Sequence, residues 1–317
     1  MKSLVRVARR NARPAPLAGI PGAVAAWQSG DLAFAEAHWR ATLLRSPNDP
    51  LAPRALSNIA HQSGRYAETA GLLGPIAENA ADFSNLGISL GALGQDDAAE
   101  TAYRRAIAID PKCAAAHFNL GNLLNNQLRS AEAEKAFRAA LSIRNDYSKA
   151  WNGLGLSLQC QGRLNESLSA FREAVQHDPA CATAHCNLGT ILFALDHNAE
   201  ALVAFRRALI LDPGHSLAHG NVGALLARSG WPIAAESASR TAISLAPDQH
   251  CWLTNLAVAL LAQGPLRRGR GMLSQGDGHA AGLRGRSWQS AVRPQLPDGR
   301  HRRSRLCRVR CLGSTPC

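Results

Sequence analysis

Aromatic residues are scarce in this chain. Phe, Trp and Tyr make up 5% of it, while hydrophobic residues as a whole reach 46%. A core short of rings must be filled by Ala and Leu. That suits close-packed helices better than stacked sheets, which favour β-branched and aromatic side chains. The apolar content is nevertheless too high for wholesale disorder. Long apolar runs are missing too: no window approaches the roughly 18 consecutive apolar residues that a membrane span needs. The first twenty residues lack the apolar stretch of a secretory signal, so a cytoplasmic setting is expected. Eight cysteines in a chain of 317 residues do not read as a disulfide framework, and free thiols are expected. There is no Walker or dinucleotide-type glycine loop and no nucleophile elbow. The expectation is therefore a chain with no cofactor and no catalytic centre of its own.

Acidic residues are absent or rare at the two ends. Residues 1–20 hold five basic residues and no acid, and residues 265–317 hold twelve arginines against Asp277 and Asp298. The net charge of +12 sits in those ends, leaving −3 for residues 21–264. It describes the ends rather than the body between them. Residues 265–317 also contain no Lys, Glu, Asn, Ile, Phe or Tyr. Loss of residues with A/T-rich codons is what an unintended reading frame through G/C-rich DNA produces. Two readings stand: a frameshifted C-terminus, or a genuine low-order basic tail with weak nucleic-acid affinity. Trp288 is its one aromatic residue, which weakens base stacking.

The body is repetitive. Gly87, Gly121, Gly155, Gly189 and Gly223 are spaced 34 apart. Each follows Leu or Val, and four residues before each stands Phe83, His117, Trp151, His185 or His219. Sixteen residues after the glycines come Tyr103, Phe137, Phe171, Phe205 and, as an exception, Ser239. Ala106, Ala140, Ala174, Ala208 and Ala242 follow, and then Pro111, Asn145, Pro179, Pro213 and Pro247. Glycine inside a helix costs about 1 kcal/mol against Ala, so five in register imply that two helices approach closely there. Alanines such as Ala99, Ala133 and Ala201 serve the same end. Gly94 and Gly162 fit a left-handed residue after a helix end.

This spacing resembles the tetratricopeptide repeat. The expected fold is all-α, a right-handed superhelical solenoid of helix–turn–helix repeats with a concave groove. Seven repeats plus half of an eighth are expected over residues 16–264. A basic N-terminal segment (1–15) precedes them and a disordered Arg-rich tail (265–317) follows.

His117, His185 and His219 share a helix-packing position with Phe83 and Trp151, so they read as packing residues. Cys181 and Cys186 have no second close pair, and no metal site is expected.

One polar row carries the candidate site. Asn85, Asn119, Asn187, Asn221 and Asn255 all lie two residues before the glycine position. In the fifth unit the asparagine is displaced to Asn152, and Asn122, Asn125, Asn126 and Gln159 enrich the middle of the same face. A carboxamide offers both donor and acceptor, so a ladder of them can hold an extended peptide backbone without reading its side chains. The same asparagines can equally bridge helices between repeats. Segments AHFNLGNLL (116–124) and AHCNLGTIL (184–192) resemble the repeats of protein O-linked N-acetylglucosamine transferases and their bacterial relatives. That resemblance implies an asparagine ladder that holds an acceptor polypeptide. It covers the repeats alone, because the several hundred residues of a nucleotide-sugar domain are not in this chain. The expected function is thus a protein-interaction scaffold binding a peptide or partner segment in the groove. The alternative is the substrate-recognition portion of such a glycosyltransferase. Gripping a C-terminal carboxylate would need Lys or Arg along the row, and no ladder site carries Arg.

Overall fold

The computed structural model describes residues 20–47, 49 and 51–264. Both the basic N-terminal segment and the Arg-rich tail lie outside the described residues. Those described form fifteen α-helices and no strand. They are α1 (Ile20–Gln28), α2 (Leu32–Arg45), α3 (Leu51–Gln62), α4 (Tyr66–Leu73), α5 (Ala80–Ala92), α6 (Asp96–Ile109), α7 (Ala114–Asn126) and α8 (Ser130–Ile143). Then follow α9 (Ser148–Cys160), α10 (Leu164–His177), α11 (Ala182–Ala194), α12 (Asn198–Leu211), α13 (Ser216–Arg228), α14 (Pro232–Leu245) and α15 (His250–Ala262). They fall into two compact units, α1–α8 up to Asn145 and α9–α15 from Asp146. Seven helix pairs and one further first helix match the expected count. The second pair is short: α4 has 8 residues where α6 and α8 have 14.

Each pair is joined by volume. A Cβ placed on Gly155 would stand 2.6 Å from the Phe171 ring. Gly87 meets Tyr103, Gly121 meets Phe137, and Gly189 meets Phe205 in the same way. The ring sixteen residues on fills the space that the missing side chain leaves. Phe137, Phe171 and Phe205 are all 0% exposed. Beside each ring runs the small-residue column, Thr69, Ala99, Ala133, Ser167, Ala201 and Ala235, each fully buried. Where that column holds Ser167, its Oγ donates to the Gly155 carbonyl at 2.7 Å. In the last pair Ser239 stands where the ring should be. The helices close on it: a Cβ on Gly223 would meet the Ser239 Oγ at 2.6 Å and the Ala235 carbonyl at 3.3 Å. A second exchange of volume lies between α13 and α15. Trp252 occupies the column that holds Ala184 and Ala218 in earlier repeats, and it fits because residue 220 is glycine. A Cβ there would be 2.0 Å from the indole.

The turn inside each pair is a repeated six-to-one closure. Backbone N–H groups of Gln95, Arg129, Arg163, His197 and Trp231 donate to carbonyls five residues earlier at 2.9–3.0 Å. This closure requires a left-handed residue at its centre. Gly94, Gly162 and Gly230 supply it, with φ of 74°, 76° and 80°. In two repeats the position holds Leu128 (φ 62°) and Asp196 (φ 64°) instead. The closure overrides the side chain's own preference there.

Within each unit, consecutive first helices meet. α3 packs on α5 and α5 on α7 in the first unit; α9 packs on α11, α11 on α13 and α13 on α15 in the second. Consecutive second helices are tied by long charged side chains. Arg65 reaches Glu36 at 2.7 Å and Glu68 at 2.9 Å, and Arg40 touches the same two acids. The Arg65 guanidinium hydrogen-bonded to Glu36 holds that carboxyl down to about 2, with burial opposing and Arg40 assisting. Arg129, Arg104, Glu100 and Glu132 repeat the arrangement between α6 and α8.

The packing histidines have a further task. Nε2 of His117, His185 and His219 bonds to the carbonyl of Pro111, Pro179 and Pro213 at 3.0–3.1 Å. The ring thereby ties the first helix to the loop that precedes it. Cys113, Cys160, Cys186 and Cys251 are free thiols.

Candidate functional site: a carboxamide column on the first helices

The candidate residues all lie on first helices and follow from the repeat. Leu at the position before the glycine is drawn into the core, as with Leu120 and Leu154. The residue one step earlier is turned about 100° away by the helix period. Asn85, Asn119, Asn187, Asn221 and Asn255 accordingly are all half-buried.

In the first unit, Asn85 Nδ2 on α5 donates to Asn58 Oδ1 on α3 at 3.4 Å. The second unit holds three such links. Asn187 Nδ2 on α11 donates to Asn152 Oδ1 on α9 at 2.9 Å. Asn221 Nδ2 on α13 donates to Thr190 Oγ1 on α11 at 3.0 Å. Asn255 Nδ2 on α15 donates to the Gly220 carbonyl on α13 at 3.1 Å. Each of these amides therefore spans from one repeat to the one before. The bridging role expected of the column is present, and displaced Asn152 is joined to the row as the acceptor for Asn187.

Four candidates stand apart. Asn119, Asn122 and Asn126 lie on α7 at spacing i, i+3 and i+7, which is one helix face. Gln159 lies on α9. The side chains of these four make no hydrogen bond to another described residue, and none is sealed from solvent. Asn126 is exposed and the other three are half-buried.

Asn58, Thr190 and the Gly220 carbonyl are participants that the row of asparagines did not reveal. A faint signal exists for two of them. Asn58 and Thr190 both follow the glycine-column position, occupied by Ser57 and Gly189, and Asn122 is their counterpart on α7. Gly220 gives no such signal, because a backbone acceptor has no residue type. Beside the Asn221 link, burial pushes the Cys186 thiol up to about 12, so it stays a neutral, inert filler.

Two arginines on first helices are already engaged. Arg54 on α3 is held by Asp82 at 3.1 Å and Glu78 at 2.7 Å. The Arg228 guanidinium lies 3.9 Å from the centre of the Phe193 ring and 3.1 Å from Asp196. Such engagement leaves neither poised for a carboxylate ligand. Among the described residues, no group of three His, Cys, Asp or Glu side chains gathers as a metal site. No described helix is long and apolar enough to cross a membrane.

Helical hairpins of this length, joined by a glycine–aromatic pair and a left-handed turn, define the tetratricopeptide class of repeat. Residues 84–148 and 152–216 match the family model described as tetratricopeptide repeat, and these residues carry such repeats. Among solved structures, the chain is similar to a tetratricopeptide repeat protein from Parabacteroides merdae. That match has 18% identity and a TM-score of 0.59, covering 76% of this chain and 97% of the other. It is also similar to the C-terminal part of a TPR repeat-containing protein from Cytophaga hutchinsonii, with 15% identity and a TM-score of 0.55, covering 74% and 98%. At these identities the likeness shows the fold. No curated protein matches the chain.

Proposed function

We propose that the chain is a protein-interaction scaffold whose first-helix face binds an extended segment of a partner polypeptide. The observation that carries this reading is the division within the carboxamide column. Asn85, Asn187, Asn221 and Asn255 spend their Nδ2 on the neighbouring repeat, while Asn119, Asn122 and Asn126 keep both donor and acceptor unengaged. A half-buried carboxamide with both groups open is matched to a peptide unit, which presents one acceptor and one donor. The meeting of consecutive first helices within each unit supports this side as the inner, concave one. Backbone recognition gives affinity with little dependence on the partner's sequence.

The second reading is the substrate-recognition portion of a protein O-linked N-acetylglucosamine transferase-like enzyme. It is favoured by the position of the column, two residues before the repeat glycine. In that reading the extended segment is an acceptor polypeptide and the chemistry belongs to another domain. Both readings share one test. An array of short unstructured peptides is probed with the chain and with Asn119→Ala/Asn122→Ala. Peptides retained by the parent and lost from the variant, across unrelated sequences, are the expected result.

A further inference from the structure

The start of α13 is capped by an imidazole, which no other described first helix has; at the start of α3 the cap is a carboxylate, Asp49, whose Oδ1 accepts the Leu51 and Ala52 N–H groups. His215 is the N-cap of α13, and its Nδ1 accepts a hydrogen bond from the Ala218 backbone N–H at 3.3 Å, a proton that this N–H shares with the His215 carbonyl at 3.1 Å. At the equivalent junctions Cys113, Tyr147, Cys181 and Gln249 make no side-chain cap bond, and Asn79 caps α5 with an amide oxygen that does not titrate. An imidazole nitrogen accepts only when it carries no proton, so this cap requires neutral His215 with its proton on Nε2. Protonation removes the Nδ1 acceptor and leaves the Ala218 N–H with the His215 carbonyl alone, a carbonyl toward which the charged ring also donates. It also sets a full positive charge against the positive end of the helix.

We infer that His215 is an acid-released cap, and that protonating it frays the first turn of α13, Ser216–His219. The consequence reaches the polar face, because the next two residues are Gly220, whose carbonyl holds Asn255, and Asn221, which holds Thr190. The idea does not depend on what that face binds.

The groups that act on the ring are few. Asp212, in the preceding loop, favours the charged form, but its Oδ1 already accepts the Gly214 N–H at 2.9 Å. His219, on the same helix, disfavours it and is itself tied to the Pro213 carbonyl at 3.0 Å. The helices packed on α13, namely α11, α12, α14 and α15, add no further charge that acts on it. Burial outweighs these effects and pushes His215 below the ordinary histidine value. With the folded value lowered, the cap's contribution is complete above the unfolded pKa of about 6.5. It is lost as pH falls through the folded value.

The test compares hydrogen–deuterium exchange of the peptide covering Ser216–His219 at about pH 7.5 and about pH 5.5, corrected for intrinsic rates. His215→Asn keeps a capping oxygen and cannot titrate. The parent should lose protection by about three- to tenfold on acidification, the size of one cap, while His215→Asn keeps it. His215→Asp is a second variant whose cap persists at both pH values. A parent whose protection is the same at both pH values overturns the idea. So does an equal acid loss in either variant, which would place the sensitivity in another of the eleven histidines.

Discussion

On each first helix two columns run two residues apart, and they are held by opposite means. At Gly155 the backbone is closed on by the Phe171 ring, so shape alone decides what fits. At Asn187, half-buried on the equivalent helix of the next repeat, the amide is placed by a single hydrogen bond to Asn152. A void or a clash in the first column is felt through the whole pair, because interiors pack without slack. A change in the second costs one hydrogen bond whose partner can turn to water. The fold is thus guarded at the ring, and the carboxamide face is free to differ from repeat to repeat. Asn119, Asn122 and Asn126 use that freedom.

The largest effect should come from Gly155→Leu. Its side chain would have to displace Phe171, and overpacking of this kind costs about 1–3 kcal/mol or more. Repeat arrays are stabilised through neighbours, so the loss should reach α11 as well as α9 and α10. Thermal denaturation followed by circular dichroism measures it, and an unchanged midpoint would break the assignment of the joint. Asn187→Ala should be milder, about 0.5–1.5 kcal/mol, with helicity intact; denaturant titration reads the difference. The mildest should be Leu128→Gly, and its sign is reversed. Leu128 is 82% exposed and left-handed, so glycine relieves strain without removing a contact. The strain of about 1 kcal/mol is partly offset by glycine's larger unfolded entropy. A net gain below about 1 kcal/mol is expected, and a loss would mean that the exposed leucine makes a contact of value.

The joint was legible because it is written in volume and repeated. A glycine in a helix and a ring sixteen residues later recur together, and neither makes sense alone. The helix count followed from the same register. Three things were not legible, each for a physical reason. Ser239 breaks the aromatic column, and nothing in the pattern says whether a cavity or a closer approach replaces the ring; the helices move together. Leu128 and Asp196 occupy a turn that the pattern reserves for glycine, because the six-to-one backbone closure is strong enough to hold them. The partners of the asparagines were also hidden. Asn221 finds a threonine side chain and Asn255 a backbone carbonyl, although the two asparagines are equivalent in sequence. Hydrogen bonds between repeats depend on angstrom-level placement, which a spacing of 34 does not encode.

The central claim is that the unengaged carboxamides of α7 hold a partner's backbone. The direct measurement is a fluorescence anisotropy titration of a peptide retained on the array, against the parent, Asn119→Ala and Asn119→Ala/Asn122→Ala. With about 0.5–1.5 kcal/mol for each lost hydrogen bond, Kd should rise about two- to tenfold for the single change and further for the pair, while circular dichroism stays the same. Equal Kd values for all three proteins, or an array on which no peptide binds, would contradict it.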